Sequence, residues 1–187
     1  MCKIGGMIRV FIIGYMGVGK TTLGKELGKA LDVEFIDLDK YIEQSQRKSI
    51  PQLFKEYGEA GFREIEHKML KEIATFENVI ISTGGGAPCF FDNMQIMNDM
   101  GVTIYLKAEP AELAARLRAA KCVRPIIAGK SSEELVPFIE HHLKEREPFY
   151  NQAQIIYFTE KLLTNIDVQN TVNDLLLELK KVPNHDL

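Results

Sequence analysis

The 187-residue chain carries 23 Lys and Arg against 26 Asp and Glu, a formal charge of −3, with 45% hydrophobic residues, 7 Pro and 14 Gly. That length and balance suit a single domain spanning 1–187 with a packed core; they exclude disordered and fibrous classes and supply no basic field for nucleic acid. The most apolar stretch, residues 10–18, is far short of the roughly 20 residues that cross a bilayer and lacks the small-residue cleavage pattern of a signal peptide. No membrane partner is expected, and the protein reads as cytoplasmic. Cys2, Cys89 and Cys122 are odd in number and lack C-x-x-C spacing, which points to reduced structural thiols rather than disulfides or a zinc site.

Residues 1–6 carry no periodicity and read as an N-terminal extension. Apolar runs suited to buried strands follow at 8–13, 34–36, 79–82, 102–106 and 155–158, separated by helix-period sequence. This alternation predicts an α/β fold with a parallel five-stranded sheet. Phe62, Ile65, Met69, Ile73 and Phe76 form one apolar helical face, expected to lie on the sheet. In the segment 121–132 the Arg124-Pro125 pair disfavours helix and Gly129 loosens the chain before a helical pattern starts near Ser132, so a mobile lid is expected there. Val168, Val172, Leu175 and Leu179 define a closing helix whose end is complemented by Lys180 and Lys181.

Gly14, Tyr15, Met16, Gly17, Val18, Gly19, Lys20 and Thr21 match G-x-x-x-x-G-K-[ST] between a strand-like and a helix-like run, the context a phosphate loop requires. Its glycines let backbone N–H groups turn toward phosphate oxygens, Lys20 reaches the β and γ phosphates, and Thr21 is the expected Mg²⁺ ligand, with Thr22 following on the helix. The alternative is a glycine-rich turn that binds nothing. At the end of the second strand Asp37 and Asp39 would share one side by strand alternation, one holding Mg²⁺ and the other accepting a proton from an attacking hydroxyl. Asp39 could instead cap a helix opening at Lys40, or do both. After the third strand Gly84, Gly85 and Gly86 either let a small ligand approach the backbone or form a tight turn; the edge on which they lie favours binding.

The series GYMGVGKT at 14–21, the D-x-D of Asp37 and Asp39, GFREIE at 61–66, STGGGA at 82–87, VRPII at 123–127 and LKEREPFYNQA at 143–153 resembles the shikimate kinase family. The resemblance implies a single-domain, three-layer P-loop kinase fold and MgATP-dependent phosphorylation of the 3-hydroxyl of shikimate, a step toward chorismate and the aromatic amino acids. It implies shikimate contacts from Asp39, Arg63, Gly84, Gly85, Gly86 and Arg146, a lid arginine at Arg124, and an adenine-side arginine at Arg116. The chemistry agrees: a carboxylate suits guanidinium forks and an Asp acceptor orients hydroxyls. Lys20, Asp39 and Arg124 are the expected catalytic residues, and Thr21 and Asp37 the metal ligands. A monomer is expected.

Plainer readings exist for the arginines. Arg63 has Glu59 and Glu66 at helical spacing, Arg116 has Glu112, and Arg146 stands beside Glu145 and Glu147, so each could be an ordinary salt-bridge residue. Another small-molecule P-loop kinase and a nucleotide-dependent switch are the competing functions, the guanine-reading form of the latter weakened by the lack of N-K-x-D or T-K-x-D.

Overall fold

The computed structural model describes residues 8–119, 131–159, 162 and 164–182. The strands are β1 (Arg9–Ile13), β2 (Glu34–Asp37), β3 (Val79–Ser82), β4 (Val102–Lys107) and β5 (Ile155–Phe158). They form one sheet in the order β2-β3-β1-β4-β5, with every pairing parallel. A strand covered on both faces needs apolar residues at every position. β1 meets this with Val10, Phe11, Ile12 and Ile13, each fully buried, and each side chain of that size contributes about 2 kcal/mol on burial.

The helices are α1 (Lys20–Leu31), α2 (Leu38–Gln46), α3 (Ile50–Ile73), α4 (Asn93–Met100), α5 (Pro110–Ala119), α6 (Ser132–Tyr150) and α7 (Asn165–Leu179). They flank the sheet in the three-layer arrangement expected. α1 packs on β1, β2 and β3 and against α7, whose Val172, Leu175 and Leu179 are buried. The apolar face of α3 is present, but its principal neighbour is α2 rather than the sheet. α3 also breaks at Gly58, where φ is 67° and ψ −176°. A 3₁₀ turn at Ala87–Cys89 touches α3, α4 and α6 together, so three helices converge beside the end of β3.

The junction of β2 and α2 differs from the sequence expectation. The chain passes from β2 into α2 with no intervening loop: Asp37 is the last strand residue and the helix cap, its Oδ1 accepting the Lys40 N–H at 3.3 Å. Asp39 therefore lies in the first turn of α2, neither in strand alternation with Asp37 nor acting as the cap. The expected lid 121–132 lies largely outside the described residues, as do residues 1–6, Cys2 and Cys122. Its last two positions belong to α6, where Ser131 caps the helix by accepting from the Glu134 N–H and Ser132 is the first helical residue.

At the opposite end of the sheet a charge is buried within a strand. Arg9, 6% exposed, donates from Nε to Phe76 O at 2.6 Å, from Nη1 to Met100 O at 2.6 Å and from Nη2 to Thr75 O at 3.3 Å. These carbonyls lie at or just past the ends of α3 and α4, where helices leave acceptors without partners. Arg9 thus ties two helix ends to β1. Arg9→Met keeps the volume and removes the donor from three part-buried carbonyls, so it is expected to lower unfolding free energy by about 1–3 kcal/mol, measured by urea denaturation. An unchanged midpoint would show that those carbonyls find other partners.

Candidate active site

The parallel register brings the ends of β1, β2 and β3 to one edge, where a cleft of about 210 Å³ is lined by Gly17, Gly19, Lys20, Thr21 and Thr22, by Asp37 and Asp39, and by residues 82–85. The phosphate loop forms one wall. At Gly14 φ is 139° and a Cβ would lie 2.5 Å from Leu106 O, so only glycine fits. Gly19 precedes α1 at φ 104° and offers no side-chain cap, leaving the leading N–H groups of that helix for an anion. Tyr15, Met16 and Val18 turn their side chains into the core, so these three expected nucleotide contacts can serve only through the backbone. Lys20 lies across the loop, its Nζ donating to Gly14 O at 2.8 Å and Tyr15 O at 3.0 Å.

Thr21 Oγ1 donates to Asp37 Oδ2 at 3.0 Å, and Ser82 Oγ reaches the same oxygen at 3.4 Å. One carboxylate with two hydroxyls is a hard, oxygen-only donor set, which suits Mg²⁺ because that ion keeps several waters and takes its other ligands from phosphates. Thr83, 3% exposed, holds an Oγ1 that is buried without a hydrogen-bond partner in the same wall. Ser82 and Thr83 were not singled out as site residues in the sequence, where they read as the end of an apolar strand.

The second wall gathers the residues expected to hold the acceptor acid. Gly84 and Gly86 leave room for particular charged side chains, and Gly85 lies in ordinary contact with a third. A Cβ on Gly84 would lie 2.9 Å from Asp39 Oδ1 and 3.3 Å from Glu66 Oε1; on Gly85, 3.5 Å from an Arg146 nitrogen; on Gly86, 2.5 Å from an Arg63 nitrogen. Protein side chains thus occupy much of the space that the sequence reserved for a ligand. The segment is also a tight turn, with Ala87 N–H donating to Gly84 O at 3.2 Å and Cys89 N–H to Gly86 O at 2.9 Å. Tyr150, fully buried, donates its hydroxyl to Gly85 O, fixing the turn to α6.

Arg63 is paired as its spacing suggested, with Glu66 at 2.7 Å and Glu59 at 3.3 Å, yet it is not a surface residue. Its side chain is 12% exposed and that of Glu66 1%. The guanidinium lies 4.2 Å from the Phe90 ring centre, and its Nε is buried without a partner. Arg146 sits over the Tyr15 ring at 5.5 Å, while the neighbouring carboxylates turn elsewhere, Glu145 to His141 and Glu147 to Lys107. Burial pushes the Glu66 carboxyl up to about 7 against the opposing pull of Arg63, and the Asp39 charge adds to the rise. Burial likewise raises the Tyr15 hydroxyl to about 12, keeping it a neutral partner for His142 Nδ1 at 3.2 Å.

Arg116 makes the helix pair its spacing suggested, Nε meeting Glu112 at 3.0 Å, and its Nη1 also donates to Val18 O at 3.0 Å, so the pair braces the phosphate loop. Arg124 lies outside the described residues. Glu66 is the residue that sequence reasoning passed over as a flanking charge. Its signal was present, since it falls between Phe62 and Met69 on the stripe of α3 that is otherwise apolar.

The raised Glu66 carboxyl carries a sign. From its ordinary value of 4.5 to about 7 the folded chain holds a proton that the unfolded chain has lost, so this group's stabilising contribution is full below that window and falls as pH rises through it. Relative to Glu66→Gln, the wild-type chain is expected to lose about 3 kcal/mol of unfolding free energy between about pH 4.5 and pH 7.5. Paired denaturant titrations measure this, and a pH-independent difference would contradict it.

With this geometry in view, comparison with known proteins is direct. A family model described as shikimate kinase matches residues 16–178. The shikimate kinase of Parabacteroides distasonis is 55% identical over 170 residues, covering 91% of this chain and 98% of that one. The crystal structure of shikimate kinase from Bacteroides thetaiotaomicron superposes with a TM-score of 0.89 at 54% identity, covering 92% of this chain and 99% of the other. The Acinetobacter baumannii shikimate kinase, solved in complex with shikimate, gives a TM-score of 0.82 at 28% identity over 95% and 96% of the two chains. A match over most of the chain, borne on a phosphate loop faced by a buried arginine and carboxylate cluster, makes this protein a member of the shikimate kinase family.

Proposed function

We propose that this chain transfers the γ-phosphoryl group of ATP to the 3-hydroxyl of shikimate, releasing ADP and shikimate 3-phosphate. The observation that carries the residue-level reading is the juxtaposition of Lys20 and Asp39 in one cleft with Arg63 and Arg146 packed against the same glycine turn. The loop amides and Lys20 hold the nucleotide phosphates. Thr21 and Asp37 would hold Mg²⁺, which offsets phosphate charge when bound. Arg63 and Arg146 bind the acceptor carboxylate, and the Glu66 carboxyl keeps Arg63 directed into the pocket.

Asp39 accepts a hydrogen bond from the attacking hydroxyl and receives its proton as the oxygen forms its bond to the γ phosphorus and the bond to the leaving ADP oxygen breaks. Lys20 offsets charge on the transferring group throughout. Arg124 on a lid at 121–132 would add to that charge and exclude water; its support is the resemblance of VRPII alone. Arg116 is proposed on the adenine side, supported by its bond to Val18 O. The chain is read as a monomer, and as cytoplasmic because its three cysteines lack a disulfide pattern.

Shikimate-dependent ADP release, run beside a panel of other hydroxy acids, tests the activity; ADP release that ignores shikimate would refute it. Lys20→Ala is expected to lower kcat by about a thousandfold. Arg63→Ala is expected to raise KM for shikimate about tenfold or more while leaving KM for ATP near its original value. An Arg63→Ala enzyme with normal KM for shikimate would remove Arg63 from the acceptor site.

A further inference from the structure

The segment after the 3₁₀ turn holds a feature that phosphate transfer does not explain. Phe91 adopts φ 51°, a left-handed conformation that is an outlier for a bulky side chain, and it leaves its ring 60% exposed. Such strain persists where surrounding contacts over-determine it, and it gathers at functional sites. The consequence here is that consecutive phenylalanines part: the Phe90 ring lies 4.2 Å from the Arg63 guanidinium, and the Phe91 ring lies 4.8 Å from the ring of His67. Arg63 and His67 are one turn apart on α3, so that helix grips the segment at two points.

The fastening between them is polar and centres on a buried amide. Asn93, fully buried, donates from Nδ2 to Ala87 O at 2.8 Å, and its backbone N–H reaches Phe90 O at 3.3 Å. Its amide orientation is fixed by that donation, so Oδ1 faces His67 Nδ1 at 2.6 Å and the proton lies on Nδ1. The other ring nitrogen stands 3.5 Å from Asp92 Oδ1. Asn93 therefore closes the turn that begins at the glycines, and His67 pins the closure to the helix that carries Arg63. Asn93 is buried and His67 partly exposed, and a buried amide whose donor and acceptor are both used favours a single arrangement of the groups around it.

We propose that His67 and Asn93 are positioning residues for the acceptor: by holding the strained Phe90-Phe91 turn they set the plane of Arg63 and the line of Gly86 without touching either substrate. The proposal rests on the reading of Arg63 as a carboxylate contact. Misplacement of a binding fork by a fraction of an ångström weakens acceptor binding more than nucleotide binding, because the network bears on Arg63 and Gly86 whereas it is Gly85 that meets the phosphate loop.

The test measures kcat and both KM values, with melting temperature, for His67→Leu, His67→Asn, Asn93→Leu and Arg63→Ala. His67→Leu and Asn93→Leu are expected to raise KM for shikimate by about five- to tenfold with KM for ATP within about twofold. His67→Asn, which returns an N–H donor near the position of Nδ1, is expected to recover most of that loss. If Asn93→Leu does not fold, the partly exposed His67 carries the test. Pair variants with normal KM for shikimate beside a raised value in Arg63→Ala overturn the pair's role alone, as do variants that lose stability and both affinities together. A normal KM in Arg63→Ala overturns the carboxylate reading and the pair's role with it.

Discussion

The site depends on the register of β3. Because β3 pairs in parallel with β1 on one side and β2 on the other, Ser82 stands opposite both Ile12 and Asp37. Those two pairings bring three chain segments to one rim: the phosphate loop after β1, the Asp37-Asp39 pair at the end of β2, and the glycine turn after β3. A slip of one residue would turn the buried side chains of each strand to the other face and carry Asp37 away from Thr21. The apolar run of β1 stabilises the fold and also fixes where the phosphate chemistry can occur.

Around that rim the charges are arranged for an anionic guest. Three carboxylates, Asp37, Asp39 and Glu66, and the cations Lys20, Arg63 and Arg146 meet near residues that contribute almost no side chain of their own. Glu66 resolves the conflict of burying an acid next to an incoming acid: with its carboxyl near 7, it holds Arg63 by a hydrogen bond at a smaller cost in electrostatic opposition than a full charge would impose. The glycines keep the turn thin, so that the phosphate loop, Arg146 and Arg63 all approach its backbone.

Much of this was legible in the sequence for identifiable reasons. The inner strands β1, β3 and β4 agree with the apolar runs because a doubly covered parallel strand is apolar along most of its length, and the edge strands β2 and β5, though partly exposed, keep enough apolar residues to be seen. The phosphate loop was legible because it couples a spacing to a strand-to-helix context. Asp39 was misjudged because β2 passes into α2 without a loop, and the helix period visible in Leu38 and Ile42, both buried, was overridden by the strand reading of the residues before it. The role of Arg9 has no local signature, since nothing near it in the sequence announces that carbonyls from residues 75, 76 and 100 converge on it. The His67 to Asn93 bond joins residues far apart in the chain and has no local signature at all.

The break at Gly58 has a consequence for how the acceptor wall responds to force. Nothing lies within 4 Å of where a Cβ would stand there, so glycine is required by the torsion angle and not by crowding. α3 is accordingly two levers meeting at an articulated joint, and the joint is bridged by the stacked rings of Phe54 and Phe62 at 4.3 Å. The outer segment enters the core through Leu53 and the inner one through Phe62, Met69, Leu70 and Ile73, and the two rings of that aromatic pin lie 5.9 and 5.3 Å from the Arg63 guanidinium, so a change of angle at the joint would be felt first at the acceptor wall.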